Sequence, residues 1–233
     1  MTIKPSTTKD VAILQSNYIP WIGYFSIISK VDLFIFHDDL QYTKNDWRNR
    51  NKILLNGEGT WISIPVGVSE KRQINEVKLN DSKWQKKHFN LIKENYQKAP
   101  FYKEFIPLFE FFYLEKKWDT LSELNQTFIK TIATEIFNLK TRFDNSEKYN
   151  LTLKGADRVI ELLQKTKATS YLSGPSAINY LSDQNFKGTG IELKWMDYGY
   201  LKSYKQFNSN EFVANLSVID MIFNIGENAK DYL

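Results

Sequence analysis

The chain of 233 residues is 42% hydrophobic and 15% aromatic, carries a net charge of +4 and contains no cysteine. That composition supplies a substantial core and argues against disorder, and it excludes disulfides, a thiolate nucleophile and a cysteine-ligated metal. The 31 Lys and Arg against 27 Asp and Glu are spread along the chain, so no nucleic-acid partner is indicated, while a local anion site is allowed. No run of about 18 apolar residues occurs, and "MTIKPSTTKD" lacks the apolar stretch and cleavage signature of a signal peptide, so a soluble cytoplasmic protein with no membrane partner is expected.

Two apolar runs, "VAIL" at 11–14 and "VDLFIF" at 31–36, read as strands buried on both faces. "WIGYFSIISK" between them is long enough for a short helix. Strand, turn, helix, strand favours a parallel pair, whose ligand crevice lies beyond the C-terminal strand ends. The turn after Leu14 and the segment 37–52 fall there. "ILLNGEGTWISIPV" predicts a β-hairpin turning at Asn56-Gly57-Glu58-Gly59, and "INEVKLN" alternates like a half-buried strand.

From Lys83 the pattern becomes helical. Pro100 in "KAPFY" separates two aromatic-rich helices. Leu121, Leu124, Phe128, Ile129, Ile132, Ala133, Ile136 and Phe137 mark a strong amphipathic helix, and Ala156, Val159, Ile160 and Leu163 another. "TSYLSGPSAINYL" reads as a short strand, a turn and a helix opening at Pro175 or Ser176; "IELKW" reads as a strand, and "LSVIDMIFNIG" as a buried closing helix ended by Gly226. The fold class is α/β: a parallel-containing sheet with an N-terminal strand-helix-strand unit, a β-hairpin, and a largely helical middle and C-terminal part. With no repeat or clear linker, residues 1–233 are read as one domain that changes from mixed α/β to mainly helical near residue 80.

The densest chemistry is "HDDLQYTKNDWRNRNK", residues 37–52. Lys44, Arg48 and Arg50 suit phosphate oxygens, Asp39 can act as a base or grip a hydroxyl, Gln41 can hydrogen-bond, and Trp47 can stack on a base. The plain alternative is a solvated loop whose charges pair with each other. Adjacent residues such as His37, Asp38 and Asp39 point to opposite faces of a strand and do not converge on one ion. No dedicated metal is therefore expected, and magnesium would enter only with a phosphorylated ligand. His88 shares a helix face with Trp84 and is either a packed histidine or a general base. Ser173 and Gly174, before Pro175, are either turn chemistry or a phosphate-holding helix start. Trp61, Phe101, Phe111 and Phe112 are most simply core. In "QSNYIPWIGYF", Pro20 is rigid, Gly23 is permissive, and Tyr18, Trp21 and Tyr24 are aromatic walls. Asn17, Tyr18 and Gly23 are expected to border the same crevice as Gln41, Lys44, Arg48 and Arg50. No G-x-S-x-G, Walker A or G-x-G-x-x-G pattern is present.

The blocks "ILQSNYIPWIGYFSIISKVDLFIFHDDLQYTKNDWRNRNKI", "WISIPV", "WQKKHFNLIKENYQKAPFY", "YLSGPSAINYL" and "LSVIDMIFNIG", in that order and spacing, resemble the WbqC-like family of bacterial proteins from about Val11 to Gly226. The resemblance implies a place in gene clusters for lipopolysaccharide O-antigen and other surface polysaccharides. Its implied role is a transferase placing an acyl or aminoacyl group on a nucleotide-linked amino sugar, with an unknown donor. Trp21-Ile22-Gly23-Tyr24 also resembles, distantly, the H-x-G-H signature of nucleotidyltransferases, with both histidines replaced by aromatics. In the transferase reading His88 or Asp39 is the catalytic base. A non-catalytic nucleotide-sugar binder or pathway scaffold, and a nucleotidyltransferase-like enzyme, are the alternatives. The sequence does not specify any cofactor or the oligomeric state.

Overall fold

Strand β1 (Asp10–Leu14) pairs in parallel with β2 (Leu33–Phe36), placing Val11 opposite Leu33 and Leu14 opposite Phe36 in the computed structural model of the chain. The structure describes residues 9–233; the segment read above for a targeting signal lies, through residue 8, outside the described residues. Helix α1 (Ile22–Ser29) joins the two strands, as the apolar runs predict. Three further strands, β5 (Arg142–Asn145), β6 (Ser170–Ser173) and β7 (Glu192–Trp195), complete a sheet ordered β5-β2-β1-β6-β7 with every pairing parallel. Central β1 and β2 are almost wholly buried, so they read as continuous apolar runs. The edge strand β5, "RFDN", is half-exposed and polar, and nothing in its pattern marked it as a strand.

The described residues cluster into two compact units, each discontinuous in sequence. The first comprises residues up to Leu14, Ile27–His37 and Lys140–Tyr200 and contains the whole parallel sheet. Val11, Ile13, Leu33 and Ile35 pack there against Val159, Leu162 and Leu163 of helix α5 (Gly155–Lys165). The strand order reverses between β1 and β6, a switch point of the kind that favours a crevice at the C-terminal strand ends. Strand β6 ends there in Ser173, followed by Gly174.

The second unit comprises Gln15–Ser26, Asp38–Leu139 and Leu201–Leu233. Its hairpin pairs β3 (Arg50–Leu55) with β4 (Glu58–Ser63). Asn56 and Gly57 form the two-residue turn with φ of 52° and 82°, the left-handed pair that a tight hairpin requires. Its main helices are α2 (Lys83–Tyr96), α3 (Tyr102–Glu110), α4 (Leu121–Thr131) and α7 (Val218–Ile225). A run of rings cements this bundle, with centroids 4.9 Å apart for Phe109–Phe223, 5.3 Å for Phe112–Phe128 and 5.4 Å for both Tyr96–Phe223 and Phe112–Trp118.

Several local expectations are corrected. "INEVKLN" is no strand: Ile74–Glu76 is a 3-10 turn, and only Lys78 bridges to Thr120. Ile74 and Val77 are both fully buried, and a three-residue turn brings positions i and i+3 to one side. Helix α4 runs on into a π-helical turn at Ile132–Ile136. After Gly174 the chain makes a 3-10 turn, Pro175–Asn179, and a short α6 (Asp183–Phe186) follows. Gly226 does end α7, with φ of 60°, and a 3-10 stretch continues to Tyr232. Among the described residues no helix is long and apolar enough to cross a membrane.

Candidate functional site

The chain leaves β1 through "QSNYIPW" in a strained conformation. Ile19 has φ of 38°, although a β-branched residue before proline prefers extended backbone. Buried Asn51 on β3 holds it there: its amide donates to the carbonyls of Tyr18 at 3.1 Å and Ile19 at 2.9 Å. The Tyr18 N–H also donates to the Trp47 carbonyl at 2.9 Å. Strain maintained by such contacts costs on the order of 1–3 kcal/mol and is a frequent mark of functional segments. The Tyr18 side chain beside it is buried.

Inside, the Tyr18 hydroxyl lies 2.8 Å from His88 Nδ1 and 2.6 Å from the Tyr113 hydroxyl. All three side chains are buried, and Trp84 stands edge-on to Tyr18 at 6.2 Å and to His88 at 5.3 Å. Burial pushes His88 down from 6.5 to about 4, opposed by a hydrogen bond to the Ser63 backbone. Burial raises the Tyr18 and Tyr113 phenols, so neither ionises near neutrality.

His88 also lines a cavity of about 460 Å³, whose walls are Trp61, Ile62, Ser63 and Pro65 from the β4 side and Lys83, Trp84, Lys87 and Leu91 from α2. Trp61, read from sequence as core, is 39% exposed, and so is Phe111 at 41%; Phe112 is buried as expected. The correction for Trp61 follows from strand alternation: its neighbour Ile62 takes the inward position. Trp47, 40% exposed, lies 5.0 Å from Trp61, and the Arg50 guanidinium lies 4.4 Å over the Trp61 ring.

A second polar cluster surrounds the fully buried Asp38. One carboxylate oxygen accepts the Ser16 N–H at 2.7 Å, and the other accepts the Gln126 amide at 2.9 Å and the Ser122 hydroxyl. Asn125 donates to the Arg48 carbonyl at 2.8 Å, and Arg48 Nη1 reaches Asn17 Oδ1 at 3.4 Å and Asp46 at 3.4 Å. Tyr24 donates to the Gln15 carbonyl at 3.0 Å; burial, then the Asp38 charge, push its phenol up, and Arg48 opposes them.

The candidates from the sequence thus divide. Asn17, Tyr18, Trp47 and Arg48 come together, Arg50 joins Trp47 through Trp61, and His88 meets Tyr18 across seventy residues of chain. Gln41 and Lys44 are exposed on a separate ladder, Gln41 bridging to Gln73 and the Lys44 N–H donating to Glu70 at 2.7 Å. Asp39 is half-buried beside them in sequence. Gly23 is covered by its own neighbour: a Cβ there would lie 2.3 Å from the Trp21 ring, so the missing side chain accommodates Trp21. Ser173, bonded at 3.3 Å to the Tyr171 hydroxyl, and Gly174 belong to the first unit. Lys83, Lys87 and Tyr113 were not singled out from the sequence; three lysines opening a helix were the available signal. Among the described residues no group of three or more His, Asp or Glu is placed to hold a metal ion.

The profile of the WbqC-like protein family matches residues 15–232. A protein of Mycobacterium tuberculosis, Rv1507c, described as uncharacterized, is 40% identical over 227 residues, covering 97% of each chain. No solved structure matches the chain.

Proposed function

Since the chain belongs to the WbqC-like protein family, we propose that it is a tailoring enzyme of surface-polysaccharide biosynthesis, transferring an acyl or aminoacyl group to the amine of a nucleotide-linked sugar. The observation that carries this reading is the cavity of the second unit, where lysines and an exposed tryptophan stand beside a buried, neutral histidine. Cations suit the phosphates of such a substrate, and the cavity falls in the size range of small-molecule sites. Amide formation requires the sugar amine to attack an acyl carbonyl and to lose a proton. His88, unprotonated at neutral pH, is one candidate for that proton, and Asp39 is the other.

A binding module without turnover is the second reading, and one observation favours it. His88 Nδ1 is engaged by the Tyr18 hydroxyl, and a pKa of about 4 makes a weak base. To separate the readings, the purified protein is incubated with nucleotide-linked amino sugars, ATP, magnesium, amino acids and acyl-CoA donors, and product masses are followed. A donor-dependent mass gain on one sugar establishes transfer. Thermal protection by the same sugars with no mass change establishes binding alone, and pyrophosphate release from a nucleoside triphosphate would point instead to nucleotidyl transfer.

A further inference from the structure

The hairpin has one inward and one outward face. Asn51, Ile53 and Ile62 are buried, while Lys52 stands opposite Trp61, and Arg50 opposite Ser63, on the other side. Both cations lean on the Trp61 ring, Arg50 at 4.4 Å and Lys52 at 5.1 Å from its centroid. Across the cavity, α2 begins with Lys83, followed by Lys86 and Lys87, and has no acidic residue in its first turn. This order opposes the helix dipole, which favours acids at an N-terminus, and it sets Lys83 and Lys87 four residues apart, where like charges repel. Among the described residues Arg50, Lys52, Lys83 and Lys87 make no ion pair, and Arg50 Nε is buried without a hydrogen-bond partner. Four cations without a carboxylate partner around an exposed tryptophan match an aromatic ligand that carries several negative charges.

We propose that this face is a nucleoside-diphosphate subsite. The base stacks at Trp61 beside Trp47, the two phosphates lie between Lys83 and Lys87 with Arg50 and Lys52 adding charge, and the attached group extends toward His88. The placement rests on the nucleotide-sugar reading above and specifies which end of that substrate goes where.

The test is titration of the full chain with uridine diphosphate, adenosine diphosphate, uridine and inorganic pyrophosphate, followed by tryptophan emission and by the thermal unfolding midpoint. Both nucleoside diphosphates should quench emission and protect the fold, and should bind about tenfold or more tighter than pyrophosphate, the increment that one stacked base contributes. Trp61→Ala should remove that increment, bringing nucleoside-diphosphate affinity down to that of pyrophosphate, while Trp61→Phe, which keeps a stacking face, should restore most of it. Lys83→Ala with Lys87→Ala should weaken every diphosphate probe and leave uridine unaffected. Equal binding of pyrophosphate and nucleoside diphosphates, or an unchanged nucleoside-diphosphate affinity in Trp61→Ala, would overturn the placement. If nucleoside diphosphates bind as described while no nucleotide-linked sugar gains mass, the subsite stands and the transfer reading falls. If a sugar gains mass with the same KM in Trp61→Ala, the transfer reading stands and the subsite falls.

Discussion

His88 couples the fold to pH in a calculable way. Its folded pKa of about 4 lies below the ordinary 6.5, so between those values the unfolded chain binds a proton that the folded chain refuses. Stability from this group is therefore fully present above pH 6.5 and is lost as pH falls toward 4. A shift of about 2.5 pKa units corresponds to a loss of about 3 kcal/mol by pH 4. His88→Gln removes the titration and keeps a polar group facing Tyr18. Urea unfolding of both proteins at intervals from pH 7.5 to pH 4 gives the difference curve, in which groups that titrate alike cancel. The wild type should lose about 3 kcal/mol relative to the variant across that range. Parallel curves would show that His88 is not desolvated in the folded state, and the buried Tyr18–His88–Tyr113 arrangement would be refuted with it.

Asp38→Ala removes an acceptor from three donors, Ser16 N–H, Ser122 and Gln126, and should cost about 3–5 kcal/mol in urea unfolding; a midpoint shift of a few tenths of a molar would contradict the buried network. Tyr18→Phe keeps the ring and loses the bonds to His88 and Tyr113, so a drop of about 1–3 kcal/mol with an unchanged denaturant slope is expected. Gly226→Ala introduces a Cβ at φ of 60° and 2.5 Å from the Phe101 ring, and should lose about 2–4 kcal/mol. Gly155→Ala, also at positive φ but with nothing within 4 Å, should lose only about 1 kcal/mol by the same assay.

Local pattern made much of the fold legible. The apolar runs marked β1, β2 and the α1 crossover, Asn56-Gly57 marked the hairpin turn, and three-and-four spacing marked α4 and α5. Where two periods competed, the reading failed: Ile74 and Val77 fit a three-residue turn better than an alternating strand. Strand β5 was silent because a short edge strand needs no apolar alternation. Of the residues expected to share one crevice, Asn17 and Arg48 lie 3.4 Å apart and Trp47 and Arg50 both reach Trp61, while Gln41 and Lys44 lie against Gln73 and Glu70 instead.

By itself, then, the sequence determined β1, β2, the α1 crossover, the hairpin turn, α4 and α5, because their patterns depend on neighbours a few residues away. It could not determine that Tyr18, His88 and Tyr113 share hydrogen bonds, that Asn51 holds Ile19 against its own preference, or that Trp61 faces outward beside Arg50 and the lysines of α2. Those facts depend on contacts tens of residues apart. Only packing of the hairpin and helices of the second unit brings such groups within bonding distance, and there desolvation and proximity change what each side chain can do.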